Sequence, residues 1–392
     1  MGATTDHALG RNLRYFTKKE TAAGGQYGTA SQEALAGADA AKVLGSTMEF
    51  TVTRNDRMDS RTSRSVLERI TGKQEISWSC ESYLLPAGSS TAPDIDPLIE
   101  AAFGGSFGGS VAKTYNLASS NALPTCRIAR TANGVFREDL FGAYVEEFGL
   151  SLSGGEPPRM TFSGGAFNYA LTGTGTTHGS SSVTSTSLPL VTGDGVNFMV
   201  GSCIDVNGGS AIVTAKSAAD TLTVTTGSYS NNEAITPETY TETTAGSPLN
   251  GITGSLNLNS VSLPITSLDV TLTNSIKALS DEAFEKGTSD IVAGFRSVTG
   301  TVSVRARKDF IKSLAQRYVQ LSASGDPTFS SIPIVVTIGA TTGFKVVVTM
   351  SKCELDFAGI DVPESDEAIL NIPFTALGTS GDDEITLAWN QA

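Results

Sequence analysis

Side chains that could do acid–base or nucleophilic work are few and badly placed for it. The chain has two histidines, His7 and His178. His7 falls in a polar N-terminal arm and His178 in a Thr/Gly/Ser stretch, and neither neighbours a credible nucleophile. No nucleophile elbow, phosphate loop or H-E-x-x-H helix occurs. Adjacent Glu146 and Glu147 could suggest the carboxylate pair of a glycosidase. On a strand, however, neighbouring residues point to opposite faces, one inward and one outward; an interface carboxylate is the other reading. The acids Glu364, Asp366, Glu367 and Asp382–Glu384 lack the alternate-position Asp/Asn pattern of a calcium loop and read as solvated turns. Cys80, Cys126, Cys203 and Cys353 are scattered, without C-x-x-C, and read as buried thiols rather than zinc ligands. Gly104–Gly109 follows a helix rather than a strand, so it stops that helix and forms no dinucleotide loop. The expectation is no catalytic residue, no metal and no cofactor.

Charge placement says more. Arg54, Arg57, Arg61, Arg64, Arg69 and Lys73 crowd one polar stretch, whereas Cys353 onward carries nine acids and no Lys or Arg. These are either two solvated surfaces or complementary patches between copies of one protein. The second reading is a heterologous contact, which builds rings or filaments. Net charge is −13 over 392 residues, with 17% charged residues. That argues against gripping nucleic acid by phosphate neutralisation, though not against a surface past which it slides. No apolar run is long enough to span a membrane, and the first residues lack the apolar core of a signal peptide.

The elements that carry these charges are mainly strands. Residues 1–45 are weakly patterned and read as an arm that orders on contact. Met48, Phe50 and Val52 alternate as one face of a strand. A strand is expected over Lys73–Leu85, then Asp96-Pro97 starts a helix ending at Phe103. Strands follow over Ala143–Leu152 and Met160–Leu171. Residues 172–248 change composition to Thr, Ser and Gly with short apolar blocks, and carry six acids against Lys216. They read as a small all-β insert on the outer surface, removable without loss of assembly.

After the insert the first pattern returns. Thr47–Thr53 matches Ser267–Thr273 in residue type at each position, and a polar stretch follows each. Gly72 precedes Ile76 and Trp78 as Gly300 precedes Val302 and Val304. Asp309 starts a second helical stretch, Phe310–Tyr318, followed by a hairpin over Phe344–Leu355 and Ala368–Phe374. The expected organisation is 1–171 and 249–392 as two copies of one domain, separated by the insert 172–248.

Gly72–Phe103 (GKQEISWSCESYLLP, then PDIDPLIEAAFGG) resembles the tail tube, or major tail, proteins of long-tailed, siphovirus-type bacteriophages. The ending ESDEAILNIPFTALGTSGDDEITLAWN is similar to their closing strands, and VNFMVGSCIDVNGG resembles small β modules that decorate phage virions. The resemblance implies β-sandwich or barrel-like domains, each with a short helix, whose hairpins join into one lumen barrel. It implies a virion protein assembled in the host cytoplasm, stacked as rings through which genomic DNA leaves. Three chains with two tube domains each would make a pseudo-sixfold ring; six chains are the alternative. The partners implied are the protein itself and the tape measure, tail terminator and tail tip proteins, with no membrane. Arg54, Arg57, Arg61 and Arg64 are then candidates for contacts between subunits or rings, and Glu146, Glu147, Glu354 and Asp356 for acids facing the lumen. Rival readings are a glycan-binding or glycan-cleaving β protein of a phage tail, and a surface adhesin.

Overall fold

A computed structural model describes residues 13–21, 32–56, 69–86, 88, 92–105, 113–119, 123–132, 134–178, 183–184, 186–225, 228–244, 246–249, 254–258, 261–263, 265–279, 287–305, 331–356, 360–361 and 368–389. The fold is mainly β: several antiparallel sheets, one short helix, and one large sheet curled as a half-barrel. The expected helix Phe310–Tyr318 lies outside the described residues.

The first half runs β1 (Leu13–Lys19), β2 (Ala40–Ala41), β3 (Gly45–Asp56), β4 (Arg69–Tyr83), α1 (Asp96–Phe103), β5 (Lys113–Asn116), β6 (Cys126–Ala132), β7 (Phe136–Ala143), β8 (Glu147–Ser153), β9 (Arg159–Gly165) and β10 (Asn168–Thr172). Its outer sheet is ordered β10-β7-β6-β1-β2. Its inner strands pair as β3-β4-β9-β8 within the large sheet. The two strands expected over Ala143–Leu152 and Met160–Leu171 are each broken, at 144–146 and 166–167. There the chain leaves one sheet for the other, so one hairpin serves both layers and shuts the core between them. The N-terminal stretch is likewise not a bare arm: β1 adds to the edge of β6 over its whole length, with Tyr15 and Phe16 buried. Both side chains are buried although they are neighbours, so the segment shows no alternation to read.

Helix α1 packs against β1, β5 and β6 with Leu98 to Phe103 buried, and its Phe103 ring meets Phe148 of β8 edge-on at 5.5 Å. Pro97 suits its first turn because no intrahelical partner is lost there. It ends at Gly104, whose φ of 75° is left-handed and whose N–H donates to Glu100 O.

Strands β11 to β18 lie between Gly175 and Pro237. Six of them form a sheet of their own over a separate apolar core containing Leu188, Phe198, Ile204, Val213, Leu222 and Ile235.

The second half runs β19 (Gly254–Leu258), β20 (Val261–Leu263), β21 (Ile265–Thr273), β22 (Ile276–Leu279), β23 (Asp290–Ala293), β24 (Ser297–Arg305), β25 (Ile332–Ile338), β26 (Val346–Leu355), β27 (Ile360–Asp361), β28 (Ile369–Ala376) and β29 (Thr386–Trp389). Its pairings repeat the order of the first. The succession β20-β19-β25-β26-β29 matches β2-β1-β6-β7-β10. The succession β21-β24-β28-β27 matches β3-β4-β9-β8. Met48 lies opposite Trp78 and Leu268 opposite Val302, each pair facing the core. In the second half Gly300 stands where the first has Ile76, and the Phe374 ring fills the space. A Cβ on Gly300 would sit 2.4 Å from Phe374 Cζ.

The halves join edge to edge. β8 pairs with β21 from Glu147↔Thr273 to Ser153↔Ser267, and β5 reaches across to pair with β29. One apolar core runs through both halves, from Tyr15 to Trp389.

Candidate functional site

Alternation gives the large sheet two unlike faces. Met48, Trp78, Phe148, Phe162, Leu268, Val302 and Ile372 point into the core. The residues between them, including Thr47, Ser79, Ser163, Thr271, Thr299 and Thr375, line the opposite face. Short hydroxyls cross-link this face laterally: Thr47 Oγ1 and Ser79 Oγ are 2.7 Å apart, and Ser303 Oγ donates to Asn371 Oδ1 at 2.7 Å. By register the same face carries Glu49, Glu75, Glu81, Glu147, Asp269, Glu354 and Asp356 against Lys73, Arg159 and Arg305. Arg159 is engaged by Glu81 at 3.0 Å. Among the described residues the face is therefore polar, low in aromatics and net acidic.

The expected acids fall on it unevenly. Glu147, Glu354 and Asp356 are exposed and share the polar face. Glu146 does not alternate with Glu147: both are exposed, because Glu146 sits in the break between β7 and β8 rather than in a strand. Its main chain donates to Ser163 O and accepts from the Asn274 N–H. Arg54 is exposed near the end of β3, past a register shift that follows Val52. Arg57, Arg61 and Arg64 lie outside the described residues, as do Glu364, Asp366 and Glu367.

No family model matches this chain, and no curated protein matches it.

Two concavities bear on the glycan-cleaving alternative. One, of about 670 Å³, is lined by Phe50, Gln74, Phe167, Asn168, Tyr169, Met199, Val200 and Gly287–Ser289, with no carboxylate among them. Its aromatics are spent on each other: Phe50 and Tyr169 stack at 5.2 Å. The other, of about 550 Å³, lies on the polar face and holds Glu147 and Glu81, the latter already paired with Arg159. Neither combines a free carboxylate pair with an aromatic platform.

The junction of the halves has its own polar lock. Buried Asn274, just past β21, donates through Nδ2 to Ala102 O at the end of α1 (2.9 Å) and to Val145 O (3.1 Å). Counting along the paired strands from Met48 and Leu268, the first-half position equivalent to Asn274 is Arg54. Arg296, at the base of the same hairpin, donates to Ala118 O and pairs with Asp382 at 2.7 Å and Glu384 at 3.5 Å.

A second polar cluster escapes sequence reasoning. Arg127 and Arg137 are both buried on the outer sheet, and both hold Asp139 at 2.7 Å. Burial opposes ionisation of Asp139, but the Arg137 and Arg127 guanidiniums outweigh it and hold the carboxyl below its ordinary range. The insert completes the cluster. Cys203 Sγ accepts from Arg127 Nη2 at 2.9 Å, and Glu238 O accepts from Arg137 Nη1 at 3.1 Å. Burial and the nearby Asp139 charge push the Cys203 thiol up, so it remains protonated. Deleting the insert would strip these partners from two buried guanidiniums, a costly exposure of unpaired charge. The available signal was Arg137 and Asp139 two apart on one strand with Arg127 on its neighbour, which reads equally well as a solvated face. All four cysteines are buried and free, and burial pushes Cys80 and Cys353 up to about 12.

Proposed function

We propose that this chain is a structural subunit that polymerises head to tail into stacked rings forming the tail tube of a long-tailed bacteriophage. The observation that carries the reading is the β8–β21 junction. It joins two four-stranded units of identical order, the last strand of one to the first of the next. The first strand of the first unit, β3, has no outer neighbour among the described residues. A long unpaired strand edge is a template for further pairing, and a heterologous edge contact closes into a ring when its rotation permits. The same junction, repeated between chains, satisfies that edge.

Eight inner strands per chain give about 24 in a ring of three chains, a wide barrel rather than a packed core. The polar face then lines the bore. Its hydroxyls and surplus carboxylates, Glu147, Glu354 and Asp356 among them, suit passage of a polyanion without adhesion, because no array of cations neutralises its phosphates. The reading implies tape measure, terminator and tip proteins as partners at the tube's inside and ends, and no catalysis. Negative-stain microscopy of the purified protein tests it. Rings or tubes with a central bore are expected; uniform monomers at high concentration contradict the reading.

A further inference from the structure

The second half's long hairpin does more than pair with β8. Beyond Asn274 it bends, runs through β22 and β23, and brings Gly287–Ser289 onto the first half beside Phe50, Gln74 and Phe167. A Cβ on Gly287 would lie 3.8 Å from both Gln74 O and Phe167 O. Phe167 belongs to the two-residue corner, Ala166–Phe167, where β9 turns into β10. The hairpin of the second unit thus leans on the corner of the unit before it.

The corresponding corner of the second half lies between β28 and β29. It is longer, Leu377–Ile385, and carries Asp382, Asp383 and Glu384. Arg296 engages Asp382 and Glu384, leaving three carboxylates against one guanidinium. Asp383 accepts from the Thr379 and Ser380 N–H groups, which hold its carboxyl below the usual range and keep it ionised. The corresponding hairpin of the first half is β3–β4. Past Gly72 it carries exposed Arg54 and Arg69, the latter 63% exposed and bonded to Asp56 at 2.8 Å. Where the internal contact is neutral, the transposed one joins opposite charges.

We infer that the β3–β4 hairpin of one chain docks on the acidic corner Leu377–Ile385 of the next chain, the partner being a second copy of this protein. The inference rests on the head-to-tail reading above and adds to it the charged contact that selects the neighbour. It places Arg54 and Arg69 against a corner whose surplus negative charge has no other cation among the described residues. Attraction between exposed groups is screened within about 8 Å at physiological salt, so the contact weakens as salt rises.

The test is a charge swap in the full chain, read by sedimentation and negative-stain counts of assembled protein, with circular dichroism as the folding control. Arg54→Glu/Arg69→Glu is expected to lower assembled mass about tenfold at physiological salt, and adding Asp383→Lys to restore most of it. Wild-type assembly is expected to fall as salt rises from about 0.05 to 0.5 M. Should the double variant misfold, Arg54→Gln/Arg69→Gln takes its place with the same expectation in weaker form. Wild-type assemblies matched by folded variants at every salt concentration overturn the docking contact and leave the tube reading standing. Loss that Asp383→Lys fails to restore also overturns it. Absence of assemblies from the wild type overturns the tube reading itself.

Discussion

Arg130 faces Glu138 across the outer ladder of the first half; at the same rung of the second, Val336 faces Val348. One position to either side, Asp139 with its two arginines is matched by Thr349, and Arg137 by Val347. The strand order is common, and on the outward face, which carries Arg137 and Asp139 in one half and Val347 and Thr349 in the other, the chemistry is opposite because different things cover the two sheets. Every residue of β7 after Phe136 is buried, since the insert, through Cys203 and Glu238, closes its outward side. In β26 burial alternates, and the outward side is half-exposed. A two-sided sheet hides polar residues only if each is paired, and the Arg127–Asp139–Arg137 cluster does so while tying the insert to the sheet. A fold's pairing order survives such a change because main-chain ladders do not depend on which side chains line the outer face.

That contrast can be broken by mutation, and the largest effect belongs to Asp139. Removing one member of a buried ionic cluster strands the others, so Asp139→Asn should destabilise by about 3–5 kcal/mol, whereas Thr349→Val at the matching rung should change stability by about 0.5 kcal/mol or less. Chemical denaturation of both variants checks this, and equal effects would erase the distinction between the outer sheets.

The junctions give the next comparison. Asn274→Ala leaves two buried carbonyls without their donor and should lose about 1–3 kcal/mol. Arg54→Ala, at the matching exposed position, should leave the melting temperature of the unassembled subunit unchanged.

The pH dependence of the cluster is smaller still over the usual range. Asp139 has a folded pKa below its unfolded one, so its contribution is complete above the unfolded value, near 3.9, and is lost as pH falls through the folded one. The stability gap between wild type and Asp139→Asn should therefore be constant near neutrality and narrow below about pH 4. A gap that widens on acidification would show that Asp139 is not held ionised by its arginines.

Least of all should subunit stability respond to charge reversal in the polar stretch that carries Arg57 and Arg61: Arg57→Glu/Arg61→Glu is expected to change it by about 0.5 kcal/mol or less. Tube growth should stop all the same. Normal tubes from this variant would remove the Arg-rich hairpin from the interface.

What the sequence disclosed depended on periodicity. β3, β4, β21 and β24 alternate over long runs, so Met48, Phe50 and Val52 could be set beside Leu268, Val270 and Leu272. The helix at Asp96–Phe103 announced itself through Pro97 and Gly104. β1 was illegible because Tyr15 and Phe16, neighbours on opposite faces of a strand held between β6 and β2, are both buried. The breaks at 144–146 and 166–167 were illegible because a chain that moves from one sheet to another keeps its strand-like composition. Of the candidate surfaces, Glu147, Glu354 and Asp356 were legible as exposed strand acids. The buried arginines were not, since burial of a charge is decided by a segment some 70 to 100 residues away, at Cys203 and Glu238.

The head-to-tail junction is tested most directly by a cryo-EM reconstruction of the assembled protein, with its symmetry determined rather than imposed. The account predicts rings of three chains in which the outer edge of β3 is hydrogen-bonded to the second half of the neighbouring chain, in the manner of β21 on β8, with the polar face turned to the bore. Six chains per ring would contradict the copy number. A β3 edge left open to solvent, or a polar face turned outward, would contradict the account itself.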